Sequence, residues 1–555
     1  MTKHPKLELT WIGKDQRPKL EPRILLEDPA KSYHAKQRVT DHDLFDNRLI
    51  FGDNLLALKA LEQEFAGKVK CVYIDPPYNT GSAFVHYDDG LEHSIWLGFM
   101  RDRLSELRKL ITDDGSIWVS IDDHEHAYLK VLMDEVFGRS NFVCSVIWQK
   151  KYAPKADSKY FSESHDYVVV YAKDLSQFAM NRIVKGEKQT SRYTNRDNDP
   201  RGPWKASDVL RNEVRDYAVF PVKLPSGREV WPSQGTSWRY TKEKFDELIA
   251  DKRIWFGVNG DARPAYKRFL SEVVDTMPPT TLWPYDEVGH NDESKKESKV
   301  LFGAEVFGTP KPERLMQRIV EIATNPGDIV LDSFAGSGTT GGAAHKLGRR
   351  WIMVELGEHC HTHIIPRLKK VVDGSDQGGI SKAMEWKGGG GFRYYKLAPS
   401  LLQQDKWGNW VISKQYNAAM LAEAACKLEG FAYAPSTEHY WMHGHSTERD
   451  FIYVTTQHLT AEQLQYLSDE VGPQRSLLVL CTAFKGKAER WPNLTVKKIP
   501  MAVLKRCEWN HDDYSLNVEN LPVAAQPAPE PVQGQLAFDS AKPKARKATT
   551  KKRKP

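Results

Sequence analysis

Asp328-Ile-Val-Leu-Asp332-Ser-Phe-Ala-Gly336-Ser-Gly338-Thr-Thr-Gly341 opens the stretch that decides the fold of this 555-residue chain. An alanine-rich segment follows it to Leu347, and a second apolar run then ends at Glu355. The order is strand, glycine loop, helix, strand and acid. Glycines let a backbone pass close under a ligand, and an acid after the second strand can hold two ribose hydroxyls. The stretch therefore predicts a parallel α/β sheet that binds a ligand at its carboxyl edge.

The spacing of the three glycines also satisfies the fingerprint of dinucleotide-binding folds, so a nicotinamide dehydrogenase is a competing interpretation. Asp332 argues against it, because an acid at the tip of the first strand would repel a pyrophosphate and attract the ammonium group of a methionine moiety. We identify no hydride-acceptor site in the remaining sequence. The loop is therefore interpreted as the site of a methionine-containing cofactor.

A second motif, Asp75-Pro76-Pro77-Tyr78, follows the apolar run Val72-Tyr73-Ile74. Taken alone it could be a turn, since Asp and Pro are ordinary turn residues. It also suits methylation of an exocyclic amine, because Asp75 and the Pro76 carbonyl could each accept one amine hydrogen bond while Pro77 stiffens the loop. Tyr78 offers a ring face for a base swung out of a duplex. Both motifs follow short strands, so we expect them to face each other across one cleft.

On these motifs the chain resembles the β-class amino-methyltransferases of DNA, and within them the modification subunits of Type III restriction-modification systems. The catalytic motif, Asp75–Gly81, precedes the cofactor motif, Asp332–Thr340, as in that class. The segment Thr309–Leu315 resembles the one whose lysine, here Lys311, contacts the cofactor's carboxylate in relatives. Further stretches typical of this subgroup are Leu7–Lys14, Gly52–Leu55, Gly389–Tyr395 and Cys507–Trp509.

The resemblance implies a doubly wound, mostly parallel sheet of the Rossmann-like methyltransferase type, with permuted motif order, an inserted target-recognition domain and a mixed α/β C-terminal domain. It implies methyl transfer from S-adenosylmethionine to the N6 amine of adenine in double-stranded DNA, because a serine in place of Asp75 is common in cytosine-amine enzymes. The catalytic residues would be Asp75, Pro76, Pro77 and Tyr78. The cofactor contacts would be Asp332, Phe334, Gly336, Gly338, Glu355, Lys311 and Asp53, although Asp53 could equally be a helix N-cap.

Two alternative functions stay open at this point. One is methylation of the cytosine N4 amine, and the other is a DNA-recognition subunit whose main role is to deliver a helicase-nuclease. Methylation of a cytosine ring carbon is not predicted, because it needs a cysteine after a proline and none of the six cysteines follows one. The partners implied by the resemblance are double-stranded DNA, a second copy of the chain and a restriction subunit.

Composition sets the broad class. The chain is 40% hydrophobic and 27% charged, which suits two or three globular domains. Neither a secretion signal nor a membrane span is apparent, so a bacterial cytoplasm is expected. Six dispersed cysteines indicate reduced thiols.

No metal site is predicted. In Asp122–His126, Asp122 and Glu125 are interpreted as a helix cap, and His359–His363 is interpreted as part of a helix.

Six segments are predicted along the chain. They are an N-terminal arm (1–48), a catalytic half (49–173), a target-recognition region (174–300), a cofactor-binding half (301–395), a C-terminal domain for dimer or partner contact (396–520), and a disordered linker with a basic tail (521–555). The recognition region interleaves tryptophans with arginines and lysines, which suits contact with phosphates and base edges, although individual tryptophans are expected in the core. The basic tail could hold phosphates or simply keep the chain soluble.

Overall fold

The computed structural model describes residues 8–78, 89–186, 190–303 and 307–516. The end of the predicted catalytic motif, Asn79–Gly81, and the linker with the basic tail lie outside the described residues.

Among its described residues, the first third of the chain forms seven strands and three helices. The strands are β1 (Leu25–Glu27), β2 (Tyr33–His34), β3 (Asn47–Phe51), β4 (Val69–Ile74), β5 (Ile111–Ile121), β6 (Phe142–Gln149) and β7 (His165–Ala172). The helices are α1 (Asn54–Phe65), α2 (Asp89–Leu110) and α3 (His126–Met133), followed by a π-helical turn (Asp134–Gly138) and a 3-10 turn (Arg139–Asn141). Asp53 caps α1, and Leu55, Leu58 and Leu61 bury one face of that helix.

Among its described residues, the middle region consists of short strands and helices. In chain order these are β8 (Ile183–Val184), β9 (Trp204–Asp208), β10 (Leu210–Arg211), a 3-10 turn (Asp216–Ala218), β11 (Val222–Lys223), β12 (Glu229–Val230), β13 (Ser237–Trp238), α4 (Lys242–Ala250), β14 (Ile254–Trp255), β15 (Ala265–Phe269), a 3-10 turn (Leu270–Glu272), β16 (Thr276–Met277), β17 (Leu282–Trp283), α5 (Tyr285–Val288) and α6 (Asn291–Phe302). The side chains of Trp204, Trp238 and Trp283 are fully buried, as expected for core tryptophans.

The cofactor half and the C-terminal domain follow. The cofactor half contains α7 (Glu313–Ala323), β18 (Ile329–Asp332), α8 (Thr339–Lys346), β19 (Arg350–Glu355), a π-helical turn (Cys360–Ile364), α9 (Ile365–Val372) and β20 (Gly391–Leu397). The C-terminal domain contains β21 (Leu402–Gln404), β22 (Trp410–Ile412), α10 (Ala418–Glu429), β23 (Ala432–Tyr433), β24 (Gly444–His445), β25 (Asp450–Val454), β26 (His458–Leu459), α11 (Ala461–Val471), β27 (Ser476–Cys481), β28 (Ala483–Phe484), a 3-10 turn (Ala488–Arg490) and β29 (Leu494–Lys498).

One large sheet joins the two predicted halves of the catalytic domain. Its order is β1, β20, β3, β19, β18, β4, β5, β7, β6 and β17, with β2 also paired to β20. The strands from β20 to β5 run parallel, whereas β7 is antiparallel to both β5 and β6. Helices α1–α3 cover one face, and α7–α9 cover the other. The predicted doubly wound, mostly parallel α/β fold is confirmed.

Two local features differ from the sequence interpretation. The predicted N-terminal arm supplies β1 and β2, which pair antiparallel with β20 and extend the sheet. The predicted cap of Asp122 and Glu125 is wrong, because α3 begins at His126 and Glu125 makes no capping bond from its side chain. Asp122 instead accepts a hydrogen bond from its neighbour His124 at 3.1 Å, while the buried Glu125 pairs with His93 at 2.6 Å. Glu125 therefore precedes α3 directly, but its side chain pairs with His93 and does not cap the helix.

Candidate active site

Two loops meet where β4 and β18 lie side by side in the sheet. Val330 pairs with Cys71 and Leu331 with Val72, so both strands end at the same edge. Asp75 and Phe334, each beyond its strand end, line one cavity of about 650 Å³. The expected meeting of the catalytic and cofactor motifs at one sheet edge is therefore observed.

Both oxygens of the Asp75 carboxylate have a partner. The Tyr78 hydroxyl donates to Oδ1 at 2.8 Å, and the Lys311 ammonium donates to Oδ2. The Lys311 Nζ also lies 5.3 Å from the centroid of the Tyr78 ring, within range of a cation–π contact. A ligand amine that binds Asp75 would share its carboxylate with these donors or displace one of them.

The prolines and the tyrosine are held by their neighbours. The Trp96 indole donates to the Pro77 carbonyl at 2.8 Å, which fixes the loop, and Pro76 lines the cavity. Burial and the nearby Asp75 charge raise the pKa of Tyr78 well above its ordinary value, so the phenol stays neutral. A neutral, half-buried ring beside a carboxylate is suited to stacking against a planar base.

Asp332 is a support for the glycine loop and does not line the cavity. Its Oδ1 accepts the Phe334 N–H at 2.9 Å, and its Oδ2 accepts the Thr340 hydroxyl at 2.6 Å. The side chain is buried, and this desolvation raises its pKa to about 7. The carboxylate thus ties the start of the loop to the first turn of α8.

The loop glycines shape the backbone in two different ways. Gly338 precedes α8 with a φ of +73°, a left-handed conformation that glycine adopts without strain. A Cβ on Gly341 would lie 2.4 Å from the Met353 Cε, so this glycine lets α8 approach β19 closely. Gly338 does not line the cavity, whereas Gly336 does.

Glu355 lines the cavity at the end of β19. Its Oε2 accepts the Gly336 N–H at 2.8 Å, and its Oε1 accepts the N–H groups of Leu356 and Gly357, both at 2.9 Å. The carboxylate therefore fixes the glycine loop against the following turn. Its contact with a cofactor stays a prediction.

Asp53 is the N-cap of α1 and also lies in the cavity wall. Its Oδ1 accepts the Leu56 N–H at 3.0 Å as the N-cap of α1, and the residue also lines the cavity. Its Oδ2 accepts the Tyr514 N–H at 3.0 Å, and the Arg103 guanidinium donates to the Tyr514 carbonyl at 2.9 Å. Ser515 and Leu516 complete this part of the wall. The end of the C-terminal domain thus reaches back to the cavity.

The cavity collects nine of the eleven predicted residues, which are all except Asp332 and Gly338. Sequence reasoning missed several others that line it: Asn54, Phe99, Arg103, Lys150, Asp166, Asn291, Phe307, Thr309, Ser333, Leu356, His359, Ser515 and Leu516. Lys150 follows β6 directly and Asp166 is the second residue of β7, so the strand pattern could have indicated them. Arg103 could not be found in this way, because it lies in the middle of α2 with nothing in the sequence to mark it.

The histidine clusters are used in packing. The His126 ring stacks on Tyr167 with centroids 3.9 Å apart, and His361 lies 2.8 Å from the Tyr394 hydroxyl. Within the described ranges, no group of three or more His, Cys, Asp or Glu side chains could hold a metal ion. Nor does that part of the chain contain a helix long and apolar enough to cross a membrane.

Comparison with known proteins identifies the class. A family model described as DNA methylase matches residues 69–366, which is more than half of the chain. The chain therefore belongs to the DNA methylase family, as the two motifs predicted, and the dehydrogenase interpretation of the glycine loop is wrong.

Particular relatives carry more specific names. The chain is 33% identical over 421 residues to the probable Type III restriction-modification enzyme HindVI Mod subunit of Haemophilus influenzae, covering 65% of this chain and 55% of the relative. It is 32% identical to the Type III StyLTI Mod subunit of Salmonella typhimurium, covering 61% and 56%. It is also 32% identical to the Type II methyltransferase M.EcaI of Enterobacter cloacae, covering 56% and 67%. The matches thus span little more than half the length of the two Mod subunits.

Proposed function

We propose that the chain transfers a methyl group from S-adenosylmethionine to the N6 amine of adenine in double-stranded DNA, in the bacterial cytoplasm, as the modification subunit of a Type III-like restriction-modification system. The observation that carries this proposal is the single cavity shared by Asp75–Tyr78 and the glycine loop. Methyl transfer requires an acceptor and a donor within reach of each other. The Type III setting is supported by the names of the Mod subunits that the chain resembles.

The cavity suits the proposed donor. Its volume of about 650 Å³ lies within the range of roughly 300–1,000 Å³ that is common for small-molecule sites. Glu355 would hold the ribose hydroxyls, Phe334 would form an apolar wall, and Lys311 would meet the cofactor's carboxylate. When bound, S-adenosylmethionine supplies an electrophilic methyl group on a sulfonium centre.

The acceptor half would act by orienting the amine. Asp75 accepts one N–H of adenine after an oxygen is released by Lys311 or Tyr78, and the Pro76 carbonyl accepts the other. These two bonds draw the nitrogen lone pair out of conjugation with the ring and toward the methyl group. Tyr78 stacks on the extruded base. The surplus proton then leaves the methylated amine along its hydrogen bond to Asp75.

Target reading is assigned to residues 174–300. The buried tryptophans of this region leave base and phosphate contacts to its polar residues, and Arg211, Arg239 and Lys205 lie outside the core on or next to its short strands. Basic side chains of this kind position a protein on DNA and read guanine edges.

The test is methyl transfer by the purified chain. Unmethylated DNA is incubated with S-adenosylmethionine labelled in the methyl group, and the DNA is then digested to nucleosides. Label in N6-methyladenine supports the proposal, whereas label in N4-methylcytosine would support the alternative acceptor. The delivery-subunit alternative predicts no label in either nucleoside while DNA binding persists.

The contacts with protein partners are proposed for a region of the chain and not for single residues. We assign dimerisation and contact with a helicase-nuclease subunit to residues 396–520, because their five-stranded sheet of β23, β24, β25, β27 and β29 is separate from the catalytic sheet. Light scattering on the full chain should then give twice the 63.4 kDa of one copy. A mass of one copy would contradict the dimer and leave the catalytic proposal intact.

A further inference from the structure

The loop between β6 and β7, Lys150–Ser164, begins and ends at the cavity. Lys150 and Asp166 both line the cavity, and they form an ion pair of 2.5 Å. The pairing of Gln149 with His165 closes the two strands, and the Lys151 N–H then donates to the Ser164 carbonyl at 3.2 Å. The base of the loop is therefore held at the wall of the catalytic cavity.

The base of this loop is braced. The Asn291 N–H donates to the Lys150 carbonyl at 3.0 Å, and the Tyr152 ring meets the His290 ring edge to face at 5.5 Å. Further out, the Lys155 N–H donates to the Ser162 hydroxyl at 2.6 Å. The first two contacts anchor the loop to the start of α6, and the third joins its two arms.

The tip presents aromatic rings to solvent. Tyr160 is 81% exposed and Phe161 is 96% exposed, whereas Trp204 and Trp238 of the recognition region are fully buried. Three exposed lysines, Lys151, Lys155 and Lys159, belong to the same loop. Aromatic rings can stack on nucleic-acid bases, and lysines can contact the phosphates between them. The loop is therefore suited to binding a nucleic acid.

We propose that Tyr160 and Phe161 enter the DNA duplex at the position that the target base vacates, while the loop lysines contact the flanking phosphates. This inference rests on the proposed function. Swinging a base out of the stack leaves a gap and costs unstacking energy. Apolar side chains inserted between base steps are a known way to stabilise such a distortion.

The test compares Phe161→Ala with the wild-type chain on two duplexes. In one duplex the target adenine is paired, and in the other it stands opposite a mismatched base, so that less work is needed to extrude it. We expect kcat/KM on the paired duplex to fall about 5- to 150-fold, the effect of losing one stacked aromatic ring. On the mismatched duplex the loss should be several-fold smaller, and Phe161→Trp should restore activity on the paired duplex.

The matched control is Trp407→Ala. Trp407 is 74% exposed, and Lys406 lies over its ring at 4.2 Å, so it repeats the aromatic–lysine pairing in the C-terminal domain. This variant should methylate both duplexes as the wild type does. Cofactor affinity and melting temperature should be unchanged in both alanine variants, since Phe161 and Trp407 are outside the core.

Three results would overturn the inference. Equal losses on the paired and mismatched duplexes would make Phe161 a general DNA contact, and no loss on either would remove it from DNA binding. If the wild-type chain methylated neither duplex, the proposed function itself would fail, and the role of the loop with it. The wild-type reaction therefore separates a failure of the proposed function from a failure of the loop.

Discussion

Asp75 directly follows β4, and Asp332 is the last residue of the neighbouring strand β18. The sequence predicts both acids to be ligand contacts, yet their environments in the structure differ. Asp75 lines the cavity and is paired with two side chains, Lys311 and Tyr78. Asp332 is buried and bonded to the backbone of its own loop and to Thr340. The first carboxylate can exchange its partners for a substrate, whereas the second cannot do so without opening the loop.

The difference comes from the residues that follow each acid. Two prolines keep the chain after Asp75 extended and leave it without N–H groups that could bond back to the carboxylate. The chain after Asp332 turns at once through Ser333–Gly338, so the Phe334 N–H returns to the acid. An acid at a strand end is therefore a ligand contact or a loop support according to whether the next N–H groups can reach it.

The largest effect should come from Asp75→Ala. Removing the carboxylate that orients the amine should lower kcat by about 10²- to 10⁴-fold, as for the loss of a positioned catalytic group. Cofactor affinity, measured by calorimetry, should change little. The matched control is Asp114→Ala, because Asp114 pairs with Lys70 at the opposite end of β4, at 2.6 Å, and its loss should leave kcat unchanged.

Lys311→Met should have the next largest effect, because Lys311 pairs with Asp75 and is also proposed to contact the carboxylate of the cofactor. Losing a charge-assisted hydrogen bond of about 1.5–3 kcal/mol should weaken cofactor binding roughly 10- to 100-fold, and kcat should fall as well. Lys150→Met removes another lysine of the cavity and is the control for a general loss of positive charge. An unchanged cofactor affinity in Lys311→Met would restrict Lys311 to its pairing with Asp75.

Asp332→Asn tests the contrast between Asp75 and Asp332 through the pH dependence of stability. The buried carboxyl has a pKa of about 7 in the fold against an ordinary value of 3.8, so the native state gains a proton that the unfolded chain lacks between these values. The contribution of Asp332 to the free energy of unfolding should therefore fall as pH rises from about 4 to 7, and this fall should flatten above pH 7. Denaturant unfolding should show Asp332→Asn gaining about 2–3 kcal/mol on the wild type between pH 5 and pH 8. Parallel curves would contradict a buried, ionisable loop support.

The smallest effect should come from the C-terminal segment. Tyr514→Pro removes the N–H that Asp53 accepts, a loss of about 0.5–1.5 kcal/mol, and should weaken cofactor binding about 2- to 10-fold. Tyr514→Ala keeps that N–H and is the matched control, so calorimetry on the two variants isolates the backbone bond. Equal affinities would show that the segment covers the cavity without supporting it.

Particular residues show how far the sequence reaches. The alternation of apolar runs with helical stretches predicts the central sheet, and the strand ends locate Asp75, Gly336 and Glu355, because parallel strands deliver their carboxyl ends to one edge. The sequence could not separate the support role of Asp332 from a contact role, since that depends on how a loop folds back. It also could not indicate Arg103 or Leu516, because these residues reach the cavity through packing between segments distant in the chain.

The central claim is that Asp75 directs methyl transfer to adenine in DNA. It is tested most directly by base-resolution modification sequencing of DNA from a methylation-free host that expresses either the wild-type chain or Asp75→Ala. The account predicts N6-methyladenine at one sequence motif with the wild type and none with Asp75→Ala. Methylated cytosine, or the same adenine mark in both strains, would contradict it.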